Sequence, residues 1–182
     1  MNRIQLLPVG EAEPSLLALL APALSAEFGG APCEIVRGRL DPAPSLHPER
    51  QQYLSTDILR RMQPYLVPNS GRLLGITSLD LYIPILTFVF GEAELDDGCA
   101  VVSTHRLRQE FYGLPPDGEL LRVRLVKEAV HELGHTLGLT HCDDYQCVMA
   151  ASHSVELIDL KGSSLCDDCR ARSLPALSRI SA

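Results

Sequence analysis

The chain has 182 residues, 46% of them hydrophobic, and its 23 acidic and 16 basic side chains leave a formal charge of -7. That length suits one compact domain and is short for two, while the acidic balance, without Lys/Arg clusters interleaved with aromatics, argues against a nucleic-acid surface. No run approaches the roughly 18 apolar residues of a membrane span, and the opening Met1-Asn2-Arg3-Ile4 lacks the pattern of an export signal, so a cytoplasmic setting with reduced thiols is expected.

In chain order, residues 4–9 read as a first strand, 15–28 as an apolar helix and 33–40 as a second strand. Residues 41–48 carry Pro42, Pro44 and Pro48 and read as a loop. Ser55 or Thr56 is placed to cap a helix running to about Tyr65, where Pro64 and Pro68 argue for its end. Residues 73–77, 86–90 and 99–103 supply three further strands. Asp80 and Tyr82 alternate with apolar neighbours as on one side of a strand or its mouth, so Tyr82 is a candidate for substrate contact or for burial of its ring. Strands separated by helical stretches favour a mostly parallel twisted sheet in an α/β fold, and the short link before residues 99–103 permits an antiparallel edge strand.

Residues 122–137 form the helix that matters most. Val123, Val126, Val130, Leu133 and Leu137 give it an apolar stripe. His131 and His135 are four residues apart, so both imidazoles leave one face and can share a tetrahedral ion, with Glu132 beside them as a general base rather than a ligand. Gly138 suits a left-handed helix end, after which His141 can return as a third ligand and leave the fourth position open, as in a catalytic zinc site. Met149, taken alone, reads as core.

Four of the six cysteines follow: Cys142 and Cys147, then eighteen residues, then Cys166 and Cys169. Two close pairs fit a four-cysteine structural zinc site, and reduced thiols favour that over two disulfides. Neighbouring side chains diverge, so His141 and Cys142 can serve different ions. Cys33 and Cys99 have apolar flanks and read as core thiols; a less favoured alternative makes Cys33 a latency ligand over the catalytic zinc. His105, before Arg106, and His153, after Met149, lack ligand spacing and read as solvated histidines, although His153 is near enough to the motif to be a candidate for substrate or oxyanion binding.

The run HELGHTLGLTHCDDYQCVM, with CDDC downstream, resembles the archaemetzincins, a branch of the metzincin zinc peptidases. The likeness spans about residues 73–169, with LLGITSLDLYIP and FVFGEA upstream, and is most specific between His131 and Met149. It implies a compact metzincin-like domain with His131, His135 and His141 on a catalytic zinc and Glu132 as base and acid. It also implies Cys142, Cys147, Cys166 and Cys169 on a second zinc, and Met149 in the Met-turn below the metal.

The expected function is hydrolysis of peptide bonds by Glu-assisted attack of a zinc-bound water, on short or unfolded peptides, by a monomer carrying two zinc ions. A zinc amidase acting on a small molecule or modified peptide, and a non-catalytic zinc-stabilised binding module, are the alternatives. Within one domain, residues 1–138 are expected to end with the zinc helix and 139–182 to be held by the cysteines. Residues 86–90 are the expected edge strand for pairing with substrate, and the small residues between 150 and 155 the expected side-chain pocket.

Overall fold

A computed structural model describes residues 3–67, 71–95 and 98–178 of the protein. Met1 and Asn2, at the point where an export signal would begin, and Pro68, one of the expected helix stops, lie outside the described residues.

Five strands form the main sheet: β1 (Ile4–Pro8), β2 (Cys33–Ile35), β5 (Arg72–Thr77), β7 (Gly91–Ala93) and β8 (Cys99–Ser103), in the order β2-β1-β5-β8-β7. All pair in parallel except β7, which runs antiparallel to β8 with Gly91 opposite Val102. The central strands are apolar on both sides because both faces are covered. Leu6, Leu74, Ile76, Ala100 and Val102 point toward helices α1 (Pro14–Glu27) and α3 (Gly118–Thr136). Their alternates Leu7, Leu73, Cys99 and Val101 meet Ile58, Leu59 and Met62 of α2 (Ser55–Met62).

A second sheet, of β3 (Leu46–His47), β4 (Gln52–Leu54) and β6 (Leu81–Tyr82), is absent from the sequence reading, since strands of two or three residues carry no usable period. Tyr82 is buried in it beneath the Arg50 guanidinium, which lies 4.1 Å from the ring centroid. The second expected strand pairs only as far as Ile35. Its remainder turns through Gly38, at φ 101°, before Leu40 bridges Val9, the residue after β1.

Neither Ser55 nor Thr56 caps α2. Leu54 occupies the cap position, the Ser55 hydroxyl donates to Tyr82 O at 3.1 Å, and the Thr56 hydroxyl donates to the Glu92 carboxylate at 2.8 Å. These side chains therefore tie α2 to the strands beside the cleft. Pro64 sits in the tight turn that follows the helix.

Residues 86–90 are not a strand. Apart from a bridge between Leu81 and Val89 they are irregular, and the Leu86 and Thr87 carbonyls accept from Arg50 and Gln52 instead of a neighbouring strand. The edge strand is β7, a few residues later.

Helix α3 begins at Gly118, four residues before the expected start, because Asp117 Oδ1 accepts from Leu120 N at 2.9 Å and caps it. Val123 is exposed, and Leu121, Leu125, Ala129, Val130 and Leu133 make the buried face. The helix gives way at Leu137 to Gly138, which is left-handed at φ 83° as expected. Two helices follow, α4 (Val155–Leu160) and α5 (Asp167–Ser178). No helix of the described residues is long and apolar enough to cross a membrane.

Candidate functional site

His131 and His135 project from α3 with their Nε2 atoms 3.1 Å apart. Their Nδ1 atoms lie 2.8 Å from Val148 O and 2.7 Å from Leu139 O. A carbonyl only accepts, so each Nδ1 carries the proton and each Nε2 presents its lone pair. After the turn at Gly138, His141 brings its ring to 5.3 Å from that of His131 and 5.1 Å from that of His135. One donor atom from each of the three lies within 4.8 Å of the others.

Zinc–nitrogen bonds of about 2.0–2.1 Å put tetrahedral donors roughly 3.3–3.4 Å apart, so the arrangement fits that ion with small adjustments. Burial and the nearby Lys161 ammonium hold the His131 pKa well below its usual value; burial also lowers His135 and His141. These shifts favour the neutral imidazole, the form that a metal ion would need.

Glu132, 5% exposed, lines the same cleft of about 480 Å³ as the three histidines. Burial, followed by the charge of Glu128, raises its pKa well above the ordinary carboxylate range. Gly91 of β7 packs directly on it: a Cβ there would fall 2.6 Å from Glu132 Oε1. Any side chain at position 91 would displace the carboxylate.

Below the helix, a Cβ on Gly134 would lie 2.4 Å from Met149 Sδ, so the glycine in the middle of the motif makes room for a fully buried methionine. That contact seats the segment from Cys147 to Ala150 under the histidines.

The sulfurs of Cys142, Cys147, Cys166 and Cys169 form a second cluster within 4.8 Å. Cys142 Sγ and Cys166 Sγ are 3.9 Å apart, close to the roughly 3.8 Å edge of a tetrahedron with zinc–sulfur bonds of about 2.3 Å. Met149 N and Cys166 N both donate to Cys147 Sγ at 3.4 Å, an arrangement suited to a thiolate. Cys142 N donates to Met149 O at 3.0 Å, which links this cluster to the floor of the histidine site. Burial raises the Cys147 and Cys169 thiols, whereas backbone donation at Cys169 lowers Cys166.

A family model for Peptidase family M54 matches residues 59–174, a stretch that contains both clusters and the cleft. The chain belongs to peptidase family M54. It is 41% identical over 167 residues to an archaemetzincin of Methanocaldococcus jannaschii, covering 92% of this chain and 90% of that relative. Among solved structures it is similar to an archaemetzincin from Archaeoglobus fulgidus complexed with malonate, with TM-score 0.80 and 38% identity over 93% of this chain and 99% of the other. A zinc-dependent peptidase from Methanocorpusculum labreanum is also similar, with TM-score 0.83, 32% identity and the same coverages. The M54 chain is accordingly a zinc metallopeptidase of archaemetzincin type, as the resemblance carried by residues 131–149 implies.

Several features of the M54 site escape a reading along the sequence. Lys161, with its side chain 1% exposed, brings Nζ to 2.8 Å from Glu128 Oε1, 3.4 Å from His131 Nδ1 and 3.3 Å from Ala150 O. Glu128 precedes His131 by three residues on the same face of α3, and a charge there within a buried helix was the available signal. His153 is exposed and lines the cleft; His105 is outside it and meets Phe111 edge to face. Cys33 joins neither metal-ligand cluster; it is half-buried against the core, and that burial pushes its thiol up to about 11, while Cys99 is fully buried. Asp80, considered for the strand mouth, is gripped by Arg106.

Proposed function

We propose that this M54 peptidase cuts short or unfolded peptides, with Glu132 as general base and then general acid. His131, His135 and His141 would hold one zinc, and Cys142, Cys147, Cys166 and Cys169 a second. The observation that carries the reading is the placement of buried Glu132 in one cleft with the three histidines and directly against Gly91 of an edge strand. Zinc bound at the histidines would acidify a water molecule and polarise the scissile carbonyl.

Glu132 would take a proton from the attacking water and deliver it to the departing amine. The backbone of β7 would align the substrate. Among the described residues its only strand neighbour is β8, and since Glu94 N donates to Cys99 O, the antiparallel alternation turns the backbone groups of Gly91 and Ala93 to the open edge. An extended peptide can pair there with little demand on its side chains. This role passes to β7 from residues 86–90, which form the apolar wall instead.

The cysteine cluster would anchor residues 139–182 to the zinc helix that closes 1–138, the two acting as one domain. Four unlinked thiols arranged as a ligand set support a reducing, cytoplasmic setting. Mass-spectrometric profiling of a peptide library with the zinc-loaded protein tests the proposed substrate class. Internal cuts in unstructured peptides are expected; cuts confined to chain ends would replace this reading with an exopeptidase, and cleavage of tightly folded proteins alone would remove the edge-strand role.

A further inference from the structure

The wall of the cleft is built by an irregular segment, and what fixes that segment lies outside the cleft. Leu86, Phe88 and Phe90 line the cavity together with the three histidines. Arg50 Nη2 donates to Leu86 O at 3.3 Å and Thr87 O at 2.9 Å, and Gln52 Nε2 donates to Thr87 O at 3.0 Å. These bonds hold the backbone. They leave the aromatic rings to be set by something else.

Arg106 supplies that second constraint without lining the cavity itself. Its Nε and Nη2 donate to the two carboxylate oxygens of Asp80 at 2.7 and 2.8 Å, and Gln52 Nε2 donates to the same carboxylate at 2.9 Å. The two-point grip fixes the plane of the guanidinium. Its Cζ lies over two rings, 4.2 Å from the Phe88 centroid and 4.7 Å from the Phe111 centroid. Phe88 in turn meets Phe90 edge on, with centroids 5.2 Å apart.

We propose that Arg106 is a positioning residue that sets the preference of the cleft for an apolar substrate side chain, by clamping Phe88 as its wall. The inference rests on the peptidase reading. Arg106 does not line the cleft, so its effect is on selectivity and not on bond cleavage itself. Lysine would keep a cation near Asp80 but lose both the planar face and the fork.

The test uses the zinc-loaded full chain carrying Glu132→Gln, so that bound peptide persists, and two fluorescein-labelled hexa-alanine peptides, one with a single phenylalanine at its fourth residue. Arg106→Lys is expected to weaken binding of the phenylalanine peptide on the order of tenfold and of the all-alanine peptide by less than about twofold, as fits loss of one or two cation–π contacts. Phe88→Ala should remove the same selectivity, and adding Arg106→Lys to it should change nothing further. Equal weakening of both peptides, additive effects of the two substitutions, or no selective binding at all would overturn the clamp. Should Arg106→Lys fail to fold, Asp80→Asn, which loosens the grip while keeping size, is read for the same loss of selectivity. Parallel incubation with the chain bearing native Glu132 separates the two levels: selective binding without cleavage overturns the peptidase reading and leaves the clamp standing.

Discussion

Replacing Glu132 with glutamine is expected to lower peptide turnover by on the order of 10²–10⁴-fold, the usual range for loss of a general base, with the zinc content of the protein unchanged. Glutamine retains the size and the contact with Gly91 but cannot accept the proton of the attacking water. The carboxylate is well suited to that proton, because burial and the neighbouring Glu128 raise its pKa above the ordinary range. Substrate affinity should change little, so the loss falls on kcat and not on KM. Turnover assayed beside elemental analysis checks both parts. A variant that lost one zinc per chain would make Glu132 a ligand, and one with native turnover would leave the reaction without its base.

Cys166→Ala and His135→Ala should have opposite consequences. The cysteine change leaves three sulfurs around the second site, and structural zinc contributes roughly 10–16 kcal/mol of apparent binding free energy to the folding of small zinc domains. Losing even about 4 kcal/mol of that would lower Tm by roughly 8–16 °C in a chain of this size. The region after Gly138 should become sensitive to protease, since Cys147 accepts from both Met149 N and Cys166 N and so ties its two halves together. His135→Ala should abolish activity while the fold survives, because the buried apolar face of α3, Leu121, Leu125, Ala129, Val130 and Leu133, packs without the metal. Differential scanning calorimetry with limited proteolysis reads the contrast. Equal destabilisation by both substitutions would remove the division between a catalytic and a structural metal.

Much of the site was legible because its donors are close in sequence. His131, His135 and His141 fall within eleven residues, and a helical turn plus one left-handed glycine suffices to gather them. The two cysteine pairs are also local, and each carries a recognisable spacing. The central strands were readable because burial on both faces makes them continuous apolar runs.

What escaped was nonlocal or too short. The Lys161–Glu128 pair joins residues 33 positions apart, as the sequence numbering shows, and a lone lysine after α4 has no pattern to mark it. Residues 86–90 have the β-branched and aromatic composition of a strand, but Arg50 and Gln52 take the Leu86 and Thr87 carbonyls, so the edge strand forms at Gly91 instead. Gly91 itself looks like a turn residue until Glu132 is seen against it. Asp117 was passed over as a cap because the apolar period of α3 begins only beyond its first turn.

The coordination of zinc in the loaded protein tests the central claim most directly. X-ray absorption at the zinc edge, combined with elemental analysis, should find two ions per chain and two shells averaged over them: sulfur at about 2.3 Å from a four-sulfur site, and nitrogen and oxygen at about 2.0–2.1 Å from a three-histidine site with an open position. Cys166→Ala should diminish the sulfur shell and His135→Ala the nitrogen shell. A single zinc bound wholly by sulfur, or a nitrogen shell untouched by His135→Ala, would contradict the assignment of the histidine cluster as the catalytic metal site.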